Sequence, residues 1–83
     1  MIDISPEIDG NHILIDVREI IRKGMHPRGE ILQVVRDAPK GSVIEIHVPH
    51  RTQPLIAALE NLGLKVAVTE VEPGDIRILT AKY

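Results

Sequence analysis

Two histidines with basic neighbours are the strongest candidates for functional residues in this sequence. His26 is followed by Pro27 and Arg28, and His50 is followed by Arg51. Histidine changes its charge near neutral pH and arginine keeps its charge, so together they can hold an anion. Each segment precedes a predicted helix, whose first backbone amides add partial positive charge. We therefore predict that these five residues form a ligand-binding edge.

The charge around the first histidine supports an anionic ligand. Residues 18–28 contain four cationic side chains and one carboxylate, a net charge of +3, whereas the whole chain carries −2. A local basic edge on an acidic chain favours a small anion or an acidic protein partner. Simpler interpretations stay open. The cationic residues can serve only to solvate the surface, His26 only to begin a helix and His50 only to line a turn.

A metal site or a histidine-assisted enzyme is the alternative. His26 and His50 with Asp16 or Glu19 would give two histidines and one carboxylate, a set that suits iron or zinc. Either histidine could also act as a general base. Haem ligation by a histidine is a further option, but the chain has no attachment motif and, apart from its last residue, Tyr83, no aromatic residue to line a haem pocket. The identity of any cofactor therefore stays open.

Composition excludes several classes of function. The chain has no cysteine, so it forms no disulfide and offers no thiolate for metal or sulfur chemistry. It has no Phe or Trp and one Tyr, which disfavours base stacking, and its net charge of −2 gives no general attraction to nucleic acid or to an anionic membrane. With neither a signal-peptide pattern nor a membrane-length apolar run, we expect a cytoplasmic protein.

The strands and helices that would place the two histidines are predicted from the periodicity of apolar residues. At 83 residues and 43% hydrophobic, the chain is sized for one domain over residues 1–83. Residues 1–10 are a lead-in segment that either pairs at an edge of the sheet or stays loose. Strands are predicted where apolar and polar residues alternate, and helices where Pro27 and Thr52 begin apolar stripes at helical spacing. The predicted strands cover residues 12–17, 42–48, 65–72 and 75–82. Residues 18–24 are left as a loop or one helical turn.

This order predicts an α+β protein, a two-layer α/β sandwich of βαβαββ order with two helices on one face of a four-stranded mixed sheet. A right-handed crossover would make the first two strands parallel, so both helix starts would meet at one edge. Proline followed by glycine at 73–74 predicts a type II turn between the last two strands. Two further histidines, His12 and His47, are expected at the surface.

The same residues carry a resemblance to a known family. The run from Leu14 to Arg18, the pair His26-Pro27, the glycine-led strand 41–48, and His50 with Pro54-Leu55 resemble the uncharacterised His-Pro branch of the SirA/TusA-like superfamily. The resemblance covers residues 12–83 and implies the βαβαββ sandwich. Sulfur carriers of the superfamily place a C-P-x-P motif where this chain has Met25-His26-Pro27-Arg28, so sulfur relay is not expected here.

The branch also differs from this chain at two positions. Pro49 and Arg51 stand where it has acidic residues beside the histidine, which makes this edge more basic. We therefore predict a non-enzymatic binding or adaptor domain that uses the edge for a small anion or an acidic protein partner, as the superfamily uses the same edge for docking. A structural module within a larger assembly is a third interpretation, and the oligomeric state stays open.

Overall fold

The computed structural model describes residues 2–82 and contains a five-stranded mixed sheet with three helices. The elements, in chain order, are β1 (Glu7–Asp9), β2 (His12–Asp16), α1 (Arg18–Arg22), α2 (Arg28–Asp37), β3 (Val43–Val48), α3 (Gln53–Asn61), β4 (Val66–Glu72) and β5 (Asp75–Ala81). The α+β class is confirmed. The predicted four strands, two helices and βαβαββ order are wrong in detail, because β1 and α1 add one strand and one helix.

The sheet has the order β1-β2-β3-β5-β4. Strands β2 and β3 are parallel, with Ile13 opposite Ile44 and Ile15 opposite Ile46, and the other neighbouring pairs are antiparallel. The predicted parallel pairing of the first two long strands is therefore confirmed. It places the carboxyl ends of β2 and β3 at one edge of the sheet, and each of these strands leads into helical structure.

One set of alternating strand residues forms the core with the helices. Ile15, Ile46 and Ile78, from three neighbouring strands, are fully buried, and Ile31 of α2 and Leu59 of α3 belong to the same cluster. The alternation in the sequence predicts this arrangement because successive strand residues point to opposite faces. The core is aliphatic throughout.

The two additional elements lie in segments with no buried side chain. Residues 7–9 of the lead-in pair antiparallel with β2, and all three are exposed. Helix α1 spans five residues and also has no fully buried residue. Burial periodicity gives no signal for β1, whose residues are all exposed. Helix α1 corresponds to the helical turn that is one of the two alternatives predicted for residues 18–24, and its Ile20 and Ile21 pack against the core.

Proline and glycine mark two element boundaries, of which the turn at 73–74 is predicted above. Ala38, which precedes Pro39, has an extended backbone and ends α2. Gly74 has a φ of +83° in the turn between β4 and β5, as the third position of a type II turn requires. No helix within residues 2–82 is both long enough and apolar enough to cross a membrane.

Candidate functional site

The starts of α2 and α3 line one pocket beside the carboxyl ends of β2 and β3. Its volume is about 560 Å³. We call it the basic pocket, and its lining residues are Ile21, His26, Pro27, Arg28, Gly29, Ile31, His50, Arg51, Thr52, Pro54 and Leu55. The structure therefore brings together all five residues of the predicted edge. Their role in binding a ligand stays a prediction.

Pro27 fixes the start of α2. It is buried and takes the N-cap position, one residue earlier than the first helical position that the sequence predicts. Its carbonyl oxygen accepts the backbone N–H of Ile31 at 2.9 Å, the first hydrogen bond of the helix. Although Pro27 is buried, its neighbours His26 and Arg28 are both exposed.

At the start of α3, Thr52 does not make the side-chain capping hydrogen bond that is typical of threonine. It takes the N-cap position, and its carbonyl oxygen accepts the backbone N–H groups of Leu55 and Ile56, each at 3.0 Å. Its hydroxyl makes no capping bond, and within residues 2–82 this buried oxygen has no hydrogen-bond partner. The preference of threonine for N-caps therefore predicts the position correctly and the hydrogen bond wrongly.

Four exposed side chains supply the polar part of the pocket. His26 and Arg28 come from the start of α2, and His50 and Arg51 precede α3. Within the described chain, none of the four side chains makes a hydrogen bond or an ion pair with another residue. Their donors are therefore free to meet an incoming group.

The cationic cluster of residues 18–28 is smaller at the pocket than the sequence suggests. Arg18 turns back to Asp16 in a bidentate contact, Nε to Oδ1 at 3.0 Å and Nη2 to Oδ2 at 2.9 Å. Its hydrogen bonds lower the pKa of the Asp16 carboxyl and raise the pKa of Arg18. Arg22 contacts Glu19 at 3.1 Å and the carbonyl oxygen of Gly74 at 3.2 Å. Two of the four predicted cations are thus paired elsewhere.

The predicted metal ligands are not assembled. Asp16 is held by Arg18, and it does not join His26 and His50 in a site. Across residues 2–82 there is no group of three or more His, Asp or Glu side chains that could hold a metal ion. The two histidines instead share a pocket with arginines, whose positive charge opposes cation binding.

A second histidine cluster lies on the opposite face of the sheet from the aliphatic core. The Nε2 atom of His47 is 2.5 Å from Oε2 of Glu45, and the Nε2 atom of His12 is 3.5 Å from the other carboxylate oxygen. The hydrogen bond from His47, aided by the charges of His12 and Arg77, lowers the pKa of Glu45. The prediction that His47 is a surface residue is wrong, because it is 8% exposed. The Glu-x-His spacing on one strand face was the signal for this contact.

A larger cavity of about 740 Å³ lies between the segment of residues 2–4 and α2. Its polar lining is acidic, with Asp3, Glu30 and Asp37, and it contains none of the five predicted residues. The backbone N–H of Ile2 donates to Glu30 at 3.1 Å and lowers the pKa of that carboxyl. Negative charge at this cavity makes it unsuitable for an anion.

Comparison with known proteins gives no relative for this chain. A scan of family models, a search of curated proteins and a search of solved structures each gave no match. The SirA/TusA-like resemblance therefore stays a prediction that rests on the sequence motifs alone.

Proposed function

We propose that this chain is a non-enzymatic binding domain that holds a small anionic ligand in the basic pocket. The observation that carries the proposal is the convergence of His26, Arg28, His50 and Arg51 on one cavity of about 560 Å³. They come from two separate segments, so local sequence does not explain their meeting. A cavity of this size falls in the range that small-molecule sites occupy, about 300–1,000 Å³.

Electrostatics supports the same conclusion. Arg28 and Arg51 stand beside the starts of α2 and α3, where unpaired amides carry partial positive charge. A charge-assisted hydrogen bond from arginine to an anion contributes about 1.5–3 kcal/mol. Two such bonds would add to the effect of both helix starts. An acidic protein surface could use the same groups, and it is an outcome that the test below separates.

The finer family assignment is part of this proposal. We propose that the fold is a two-layer α/β sandwich of the SirA/TusA-like kind, extended by β1 and α1, with its docking edge at the basic pocket. Because the chain has no cysteine, it carries no persulfide. The domain would act in the cytoplasm by holding a ligand.

Inorganic phosphate tests the proposal. We would measure its dissociation constant from amide shifts in NMR spectra of the wild-type chain and of R28Q, R51Q and R36Q. Arg36 is a matched control, because it is an exposed arginine of α2 that does not line the pocket. We expect about tenfold weaker binding for R28Q and R51Q, from the loss of one charge-assisted bond each, and no change for R36Q.

Two results would count against the proposal. If all three variants bind phosphate equally well, the contact is a general charge effect and the pocket is not the site. If the wild-type chain binds neither phosphate nor any other small anion but binds an acidic peptide, the protein partner replaces the small ligand. Metal content of protein purified without a histidine tag tests the alternative enzyme, since stoichiometric zinc or iron would favour it.

A further inference from the structure

The lining of the basic pocket divides into an exposed polar rim and an apolar floor. The rim is formed by the four exposed side chains of His26, Arg28, His50 and Arg51. The floor is formed by apolar residues, among which Pro27 is buried and Ile31 and Leu55 are 1% and 4% exposed. Ile21 and Pro54 complete the apolar lining. A site of this composition offers two different kinds of contact to one ligand.

A small inorganic anion would use only one of them. Phosphate or sulfate can meet the arginines and histidines of the rim, but it stays hydrated where it faces Ile31 and Leu55. It would also occupy a small part of a cavity of about 560 Å³. A ligand with an apolar body would remove its own chain and the accessible apolar surface of Ile21 and Pro54 from water, and apolar burial is the main favourable contribution in sites of this kind.

The charged side chains lie at the rim of the pocket, which favours a ligand that has its anionic group at one end. The free donors lie at the exposed rim of the pocket, and apolar side chains line its buried part. Among the described residues, the pocket lining below the rim has one polar side chain, the half-buried Thr52 with its unpartnered hydroxyl, so an anionic group placed deep in the pocket would lose hydration for at most one partner. A ligand that keeps its charged group at the rim and points its apolar part inward satisfies both regions.

We propose that the basic pocket takes an amphiphilic organic anion, one carboxylate or phosphate head on an apolar body of several carbons. This inference rests on the proposed function, because it names the class of ligand for the same site. The rim binds the head, and Ile21, Ile31 and Leu55 cover the body. Each methylene that the floor buries fully should tighten binding about fourfold.

A series of straight-chain carboxylates tests this inference. We would measure dissociation constants for acetate, butyrate, hexanoate and octanoate by NMR, at constant ionic strength and below the concentration at which they aggregate. We expect the dissociation constant to fall by about fourfold for each buried methylene until the pocket is filled. Octanamide, which has the same chain without the charge, should bind at least tenfold more weakly than octanoate.

A pair of variants on α1 locates the effect in the floor. Ile21 lines the pocket and Ile20 does not, yet both are half-buried and pack against the core. I21T should reduce octanoate affinity at least fivefold and leave acetate affinity unchanged. I20T, which carries the same change one residue away, should retain the octanoate affinity of the wild type.

The outcomes separate this inference from the proposed function. Equal affinity for acetate and octanoate would overturn the amphiphilic ligand and leave anion binding intact. Equal affinity for octanoate and octanamide would overturn the anionic head, and with it both proposals. Chain-length dependence that is lost equally in I21T and I20T would place the apolar contact outside the pocket and overturn the inference.

Discussion

Replacing Lys82 with methionine should cost the domain much of its stability. The Nζ atom of Lys82 donates to the carbonyl oxygens of Val35, Arg36 and Ala38, at 2.8, 2.9 and 2.6 Å. These carbonyls lie at the end of α2, where the helix dipole also favours a positive charge. The side chain of the residue that directly follows β5 therefore closes the helix whose other end lines the basic pocket.

The magnitude follows from these three bonds. A hydrogen bond to a charged group contributes about 1.5–3 kcal/mol, and the charge at a helix end adds about 0.3–1 kcal/mol. The three bonds share one ammonium group, and the carbonyls can bind water once it is gone. We therefore expect K82M to lower the free energy of unfolding by about 2 kcal/mol, which corresponds to a fall in Tm of roughly 8–16 °C for a domain of this size.

The assay is urea and thermal unfolding followed by circular dichroism. Lys40 is a matched control, because it is exposed and its side chain makes no hydrogen bond or ion pair within residues 2–82. K40M should stay within about 0.5 kcal/mol of the wild-type chain. If K82M unfolds at the same urea concentration as K40M, the three bonds do not stabilise the helix end, and the reasoning is refuted.

Three further predictions concern two glycines and the response of the domain to acid. G29A should stabilise the domain by about 0.4–1 kcal/mol, because Gly29 is helical and its added Cβ would meet nothing within 4 Å. G74A should destabilise it by about 1–2 kcal/mol, because φ is +83° there and Arg22 lies 3.4 Å from the added Cβ; thermal unfolding of both variants checks the opposite signs. The contact with His47 lowers the pKa of Glu45 below its ordinary value of 4.5. The ionised Glu45 therefore stabilises the folded domain fully above pH 4.5, and this contribution is lost as the pH falls through the lower pKa of the folded state. E45Q should therefore lose stability less steeply than the wild type between neutral pH and pH 3, and identical acid limbs in urea titrations would contradict this.

The strands and helices of the core could be predicted because one face of each packs into the aliphatic core and the other face points away from it. Alternating residues such as Ile44, Glu45 and Ile46 specify a strand with one buried face, and Pro73-Gly74 specifies the turn of the last hairpin. Strand β1 lacks such a signal, because all of its residues are exposed and only pairing with β2 makes it a strand. The number of strands therefore depends on tertiary contacts that periodicity does not encode.

The sequence predicts where the candidate site lies better than it predicts how many cationic side chains are free at the pocket. Parallel β2 and β3 bring the segments of His26 and His50 to one edge, as the order of elements requires. The contact between Asp16 and Arg18 depends on how the chain bends between β2 and α1, so net charge in the sequence overstated the cations at the pocket. Pairings set by such bends cannot be counted from composition.

The four histidines allow the most direct test of the central claim. His26 and His50 line the basic pocket, whereas His12 and His47 lie in the cluster around Glu45. We would record the ring resonances of all four by NMR while adding phosphate and then octanoate at constant pH and ionic strength. We expect the His26 and His50 rings to shift in a saturable way while the other two stay unchanged. Equal shifts of all four rings, or no shift at His26 and His50, would contradict it.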